Sequence, residues 1–382
     1  MTVYFDNAAT TPLAPEVLDV MLPMLRDDFG NPSSTHQFGR KTKSAIEMAR
    51  KTIAKLLHCS PMEICFTSGG TEADNMAIHG AIEELGVTRI ISSLAEHHAV
   101  LHTVEHCQAE CNIDLEMVRL TDLGHVDVDH LRELLASSDQ KTLVSLMHAN
   151  NEIGTMIDID EIGQICADHN ALFHSDTVQT MGHYPMDLSQ TKVHFVTGAA
   201  HKFHGPKGVG FLYINKDVHV NSLIRGGSQE RNMRAGTENI YGIVGMAKAL
   251  ELALENVDEH RNHIQSVKDY MCQLLKQEID GTEFNGCLDR GLYTVLNVRL
   301  PQTNKAEMLL FLLDIDGIAC SGGSACSSGS NQGSHVLRAI DADTSVPSIR
   351  FSFSRYSTKE EVDYVVDKLV KHLEPVNQEV TT

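Results

Sequence analysis

Lys202 stands in Gly198-Ala199-Ala200-His201-Lys202-Phe203-His204-Gly205-Pro206-Lys207-Gly208, between a predicted strand at 194–197 and another at 209–214. A lysine amine held in a pocket there can lose its proton by desolvation and act as a nucleophile. Asp176 ends the apolar run Phe173-His174-Ser175-Asp176, and Gln179 follows it. An acid at the carboxyl end of a parallel strand points into the crevice where such sheets bind ligands. Ser68-Gly69-Gly70-Thr71-Glu72 lies between a predicted strand and a helix. Its glycines let backbone N–H groups approach an anion, which a helix N-terminus favours. The spacing matches neither a P-loop nor G-x-G-x-x-G. Singly, these features read as a surface lysine, a helix cap and a tight turn. Together they supply what a pyridoxal phosphate site needs: a lysine for the Schiff base, an acid for the pyridine nitrogen and donors for the phosphate.

Those residues need a scaffold. Strands are predicted at 63–66, 89–93, 113–120, 142–147 and 171–176, and helices at 72–85, 97–110, 128–135 and 159–169. The alternation argues a mostly parallel sheet between helices, and the unbroken apolar runs argue strands covered on both faces. A helical pattern with a break runs from about 239 to 278. After it come a strand at 293–300 stopped by Pro301, a helix at 305–314, a Gly/Ser-rich stretch at 321–334, a strand at 348–353 and a helix at 359–373. This tail reads as a smaller α+β domain. The Gly/Ser stretch has the composition of a linker, yet it carries Cys326 between structured flanks. The expected organisation is an N-terminal segment, 1–13, packing with the small domain, a large domain, 14–260, and a small domain, 261–382.

The chain has 382 residues, a net charge of −20 and 9 cysteines. The acidic balance argues against nucleic acid, which wants clustered Lys and Arg. No run approaches the ~18 apolar residues of a membrane span. The first residues show neither a basic region nor an apolar run, so no secretory signal is expected. An odd number of thiols cannot all pair, none are spaced C-x-x-C, and no Cys/His group repeats with zinc-ligand spacing. A reducing cytoplasm is the expectation, with no resident metal.

Several longer motifs stand in order: Tyr4-Phe5-Asp6-Asn7-Ala8-Ala9-Thr10-Thr11-Pro12, Thr67-Ser68-Gly69-Gly70-Thr71-Glu72-Ala73-Asp74-Asn75, Asn150-Asn151-Glu152-Ile153-Gly154, Arg234-Ala235-Gly236-Thr237-Glu238-Asn239, and the stretch 321–330. With Asp176 and Lys202 they resemble the cysteine desulfurases of the NifS/IscS type, within the class V, fold type I pyridoxal phosphate enzymes. The resemblance runs nearly end to end. It implies an α/β fold with a seven-stranded-type sheet. It implies Lys202 as the Schiff-base lysine, Asp176 on the pyridinium and Gln179 on the ring's phenolic oxygen. His97 would stack on the ring and move protons, and Asn151 would approach the ring edge or the substrate carboxylate. Gly70, Thr71 and His201 would bind the phosphate, joined by Thr237 from a second copy in a homodimer. Arg350 matches the arginine that clamps the substrate carboxylate, as a bidentate fork can.

Cys326 would be the sulfur-accepting nucleophile, since a thiol that collects and delivers sulfur needs a mobile loop and a persulfide is a reversible cysteine state. The other cysteines read as small apolar filler or stay unassigned. One position departs from the family pattern: Ala199 replaces a serine, removing one phosphate hydroxyl. The implied function is conversion of L-cysteine to L-alanine, with sulfur passed from a Cys326 persulfide to an acceptor in iron–sulfur assembly or tRNA thiolation. A nascent cluster touching Cys326 would be cargo. Same-fold alternatives are a selenocysteine lyase and a class V aminotransferase.

Overall fold

The computed structural model describes residues 1–322 and 333–373. In chain order its strands are β1 (Val3–Tyr4), β2 (Ile64–Thr67), β3 (Arg89–Ser92), β4 (Asp114–Met117), β5 (Thr142–Ser145), β6 (Leu172–Asp176), β7 (Phe195–Ala199), β8 (Gly210–Ile214), β9 (Glu283–Asn285), β10 (Val295–Arg299), β11 (Ile318–Ala319) and β12 (Ser348–Ser352). Two units form. Thr10–Asn150 and Thr155–Val257 make the larger; Met1–Ala9, Asn151–Gly154 and Asp258–Thr382 make the smaller.

The larger unit is built on a seven-stranded sheet of order β2-β8-β7-β6-β5-β3-β4. Strands β3 to β7 pair in parallel, and β8 runs antiparallel to both its neighbours. Successive residues along β2, β3, β5, β6, β7 and β8 enter opposite cores. Phe66, Ile91, Val144, Phe173, Val196 and Phe211 join one core, with Val17, Ile46, Ile162 and Met246 from the helices Pro15–Arg26, Gln37–Leu56, Ile159–Asp168 and Ile240–Glu255. Cys65, Ile90, Leu143, Leu172, Phe195 and Leu212 join the other, with Ala77 and Val104 from the helices Gly70–Glu83 and His98–Cys111. Burial on both faces is why these strands read as continuous apolar runs. Parallel pairing also lines up the strand ends: Asp176 at the end of β6 is level with Thr197 of β7.

In the smaller unit, β12, β10 and β9 form an antiparallel sheet, and β1 pairs in parallel with β11. The helical pattern over 239–278 resolves into two helices, Ile240–Glu255 and Val257–Glu278, with Asn256 non-helical between them at φ −124°. The second buries Ile264, Val267, Met271 and Leu275, an i, i+3, i+7, i+11 stripe. Among the described residues no helix is long and apolar enough to cross a membrane.

Candidate active site

β2 leads through Ser68 and Gly69 into the helix Gly70–Glu83, which starts two residues earlier than its apolar pattern suggests. Gly69 sits at φ +154°, a conformation that side chains disfavour, and a Cβ built there meets nothing within 4 Å. No side chain among the described residues caps this helix N-terminus. The turn is held from outside: Ser68 N–H donates to Glu72 Oε2 at 2.9 Å, and Arg234 Nε donates to Glu72 Oε1 at 2.9 Å. A helix start with no side-chain cap and a favourable dipole is a fit for a phosphate. A Cβ on Gly70 would lie 2.9 Å from Val178 and 3.8 Å from the Ala199 methyl. The position lacking the serine hydroxyl therefore borders the same turn.

Asp176 is buried at the end of β6 and accepts the Val178 N–H at 2.9 Å. Burial and the nearby Asp74 carboxylate push it up to about 7, against the opposing pull of the Val178 N–H, His174 and Lys202. Asp74, on the helix Gly70–Glu83, is equally buried and is also raised to about 7 by desolvation. His174 Nε2 lies 3.4 Å from Asp74 Oδ1 and 3.3 Å from Thr197 Oγ1, while its Nδ1 meets Ser145 Oγ at 2.8 Å. Desolvation holds His174 near 4, so the ring is neutral at pH 7. Glu96, buried, accepts the Met147 N–H at 2.7 Å and is raised well above its usual range, by burial first. Three buried carboxyls thus share one polar pocket around a neutral imidazole, an arrangement well suited to receive a cation.

Lys202 closes a short helical turn, Ala200–Lys202, directly after β7. Its carbonyl meets His183 Nε2 at 3.3 Å. His201 Nδ1 meets Thr10 Oγ1 at 3.2 Å, and its carbonyl accepts the Thr11 N–H and hydroxyl, each at 2.9 Å. Burial, then Lys202 and Lys207, hold His201 near 4, so it stays neutral. Gln179 is buried three residues past Asp176. His97 is half-buried and caps the helix His98–Cys111, accepting the Ala99 N–H on Nδ1 at 3.1 Å. Thr237 is exposed and lines, with Thr67, Ser68 and Arg234, a space of about 160 Å³. The larger unit therefore carries an uncapped glycine turn, a buried acid and a lysine whose charges sense one another. Each feature fits one part of pyridoxal phosphate: phosphate, ring nitrogen and aldehyde carbon.

In the smaller unit Arg350 is 1 % exposed on β12. Its Nη1 donates to the Asn151 carbonyl at 2.9 Å and its Nη2 to Asp6 Oδ1 at 2.8 Å. Its Nε is buried and meets no hydrogen-bond partner among the described residues. A buried guanidinium with one donor unmet is a fit for a carboxylate. Cys326 lies outside the described residues. None of the eight described cysteines is in a disulfide. On the helix His98–Cys111, Cys107 faces the core and Cys111, one turn on, is exposed. Cys320 is held at about 12, chiefly by burial, which suits filler rather than a thiolate. Among the described residues no group of three or more His, Cys, Asp or Glu is arranged to hold a metal ion. The motifs contained Asp6 and Asp74 without marking either as functional; no spacing signal connects Asp6 to Arg350 or Asp74 to His174.

Residues 3–365 match the family model described as Aminotransferase class-V. The chain is similar to a Cysteine desulfurase IscS of Dictyoglomus turgidum, 44% identical over 97% of this chain and 94% of the relative. It is similar to a Putative cysteine desulfurase IscS 1 of Bacillus subtilis, 42% identical over 94% of this chain and 95% of the relative. Among solved structures it superposes on a NifS-like protein with TM-score 0.90 at 37% identity, covering 98% of this chain and 99% of that one.

Proposed function

The chain belongs to the class-V aminotransferase family and is a pyridoxal-phosphate-dependent cysteine desulfurase, and from that premise we propose the following assignment of its residues. Lys202 holds the cofactor covalently and then serves as the base that takes the substrate's Cα proton. Asp176 receives the ring nitrogen's N–H, Gln179 the phenolic oxygen, and His97 stacks on the ring and moves protons. Gly70, Thr71 and a neutral His201 hold the phosphate, with Thr237 of the partner subunit in a homodimer. Arg350 and Asn151 hold the substrate carboxylate. The bound cofactor supplies an electron sink for the pair left at Cα. The observation that carries the reading is the buried Asp176 carboxylate, which senses Lys202 at the strand ends beside an uncapped glycine turn.

The Cys326 thiolate attacks the substrate sulfur. The carbon–sulfur bond breaks, its electron pair stays on the carbon fragment, and protonation releases alanine. Cys326 keeps the sulfur as a persulfide and passes it to an acceptor, an iron–sulfur scaffold or a tRNA-thiolation protein. A reducing cytoplasm suits a thiol that a disulfide would disable. The purified protein is expected to be yellow, and Lys202→Ala to be colourless. Cys326→Ala is expected to keep the colour and lose sulfide release from cysteine. After cysteine treatment, mass spectrometry is expected to find one added sulfur on the Cys326 peptide alone. Sulfide release surviving in Cys326→Ala would overturn the nucleophile, and a colourless wild type the cofactor residues.

A further inference from the structure

The N-terminal stretch is pinned between two strands of the smaller unit. Phe5 N–H donates to the Ala319 carbonyl at 2.9 Å, at the end of β11. On the other side Ser352 N–H donates to the Phe5 carbonyl at 2.7 Å, Asn7 Nδ2 to the Ser352 carbonyl at 2.9 Å and Ala8 N–H to Ser352 Oγ at 2.8 Å. Asp6 lies in the middle of this lacing, so its backbone is fixed. Its Oδ1 accepts two bonds, from Arg350 Nη2 at 2.8 Å and from Ser321 Oγ at 2.8 Å. Ser321 is itself tied to Arg350 through the backbone, with Arg350 N–H donating to the Ser321 carbonyl at 2.6 Å.

A guanidinium is a planar fork, and its value for a carboxylate depends on where the plane is held. Here the Asn151 carbonyl takes Nη1 and Asp6 takes Nη2, which fixes the plane from two sides and leaves Nε as the buried donor still to be met. Asp6 also balances a cation that is 1 % exposed; an uncompensated charge there would be strongly disfavoured. The two roles, placing the fork and balancing its charge, separate experimentally.

We propose that Asp6 is a positioning residue for the substrate α-carboxylate, acting through Arg350. The proposal rests on the reading of Arg350 as the carboxylate clamp. Placement of a binding group changes the affinity for the group it binds, so the effect falls on KM rather than kcat.

Asp6→Ala is expected to raise KM for L-cysteine ~10-fold, the size of one well-placed charged hydrogen bond, with kcat changed less than ~2-fold. Inhibition by cysteamine, which has the amine and thiol but no carboxylate, is expected to be unchanged. Cofactor content, read from visible absorbance, monitors folding and loading. Asp6→Asn keeps the acceptor oxygen in place and is expected to stay close to wild type. Asp6→Glu keeps the charge but displaces it by a methylene and is expected to raise KM for cysteine alone. Ser321→Ala tests the other bond to Asp6 and is expected to leave KM unchanged. Arg350→Gln is the control for the clamp itself. If Arg350→Gln raises KM for cysteine and Asp6→Ala does not, the proposal alone is overturned. It is also overturned if cysteine and cysteamine weaken together, if Ser321→Ala reproduces the effect, or if Glu restores binding where Asn does not. If Arg350→Gln leaves KM for cysteine unchanged, the clamp reading falls first and the proposal with it.

Discussion

Asp74 shows what a single buried group does to its neighbours. It contributes a carboxyl to a pocket that already holds Asp176, Glu96 and a neutral His174. Desolvation raises Asp74 from 3.8 to about 7. A raised carboxyl favours the fold while protonated and opposes it once ionised. Its penalty is therefore absent below 3.8, grows as pH rises to about 7 and is full above that. Asp74→Asn keeps the shape and removes the charge. The apoprotein of this variant is expected to match wild type at the acid end of that window and to exceed it at the alkaline end. A tenfold change in proton affinity is worth ~1.4 kcal/mol, so the rise from 3.8 to about 7 corresponds to a gain on the order of 4 kcal/mol. Denaturant melts across the window measure it, and a gain that did not grow with pH would refute the account. None of this was legible beforehand. Asp74 occupies a polar position in a helical pattern, and only the fold turns that position towards Thr197 and His174.

The loop between β8 and the helix Ile240–Glu255 poses the same problem at the scale of an element. Glu230, Arg231 and Asn232 are all at positive φ (43°, 57° and 68°), and none is a glycine. Such residues cost of order 1–2 kcal/mol each, so other contacts must hold them. Glu230 Oε2 accepts from Arg50 Nη2 at 2.8 Å, and Glu230 Oε1 accepts the Phe66 N–H at 3.3 Å. Arg50 also donates to the Ile64 carbonyl at 2.8 Å and lies 4.4 Å over the Phe66 ring. Arg231 donates to the carbonyls of Pro61 and Ile64. This clasp fixes the start of the segment that carries Arg234 and Thr237. Glu230→Ala removes the buried carboxylate that pairs with Arg50, leaving Glu47 Oε1 at 3.2 Å as the charge partner of Arg50, and is expected to cost about 1.5–3 kcal/mol in urea melts. Arg50→Met combined with Glu230→Leu removes both charges and is expected to recover much of that loss. A double variant as unstable as the single would show that the ion pair is not what holds the turn. Here too the sequence was silent, because a left-handed run without glycine has no local signature. By contrast, the glycine turn after β2 was legible, since Gly69 is there for its own backbone.

At the scale of the whole molecule, legibility follows the range of the interaction. Burial of the sheet on both faces is written into each strand, so the parallel core and the strand-end positions of Asp176 and Lys202 could be read in advance. The bond between Asp6 and Arg350 joins residues 344 positions apart, and nothing local announces it. Asn256 divides one helical pattern into two helices without a proline or glycine, so a break was legible but its position was not. Net charge is the opposite case, a global property read directly from the sequence. At −20 the protein surrounds itself with a negative potential. Any thiol that clears a persulfide from it must enter that field. An anionic thiol such as mercaptosuccinate is expected to react more slowly than a neutral thiol of equal intrinsic reactivity, and a cationic one faster. The spread is expected to narrow as added salt shortens the screening length to ~8 Å and below. Rates of sulfide release with the three thiols, measured across a salt series, test this. Equal rates at low salt would mean that the charges lie too far from the persulfide to act on it, and that steering of an acceptor must come from local contacts instead.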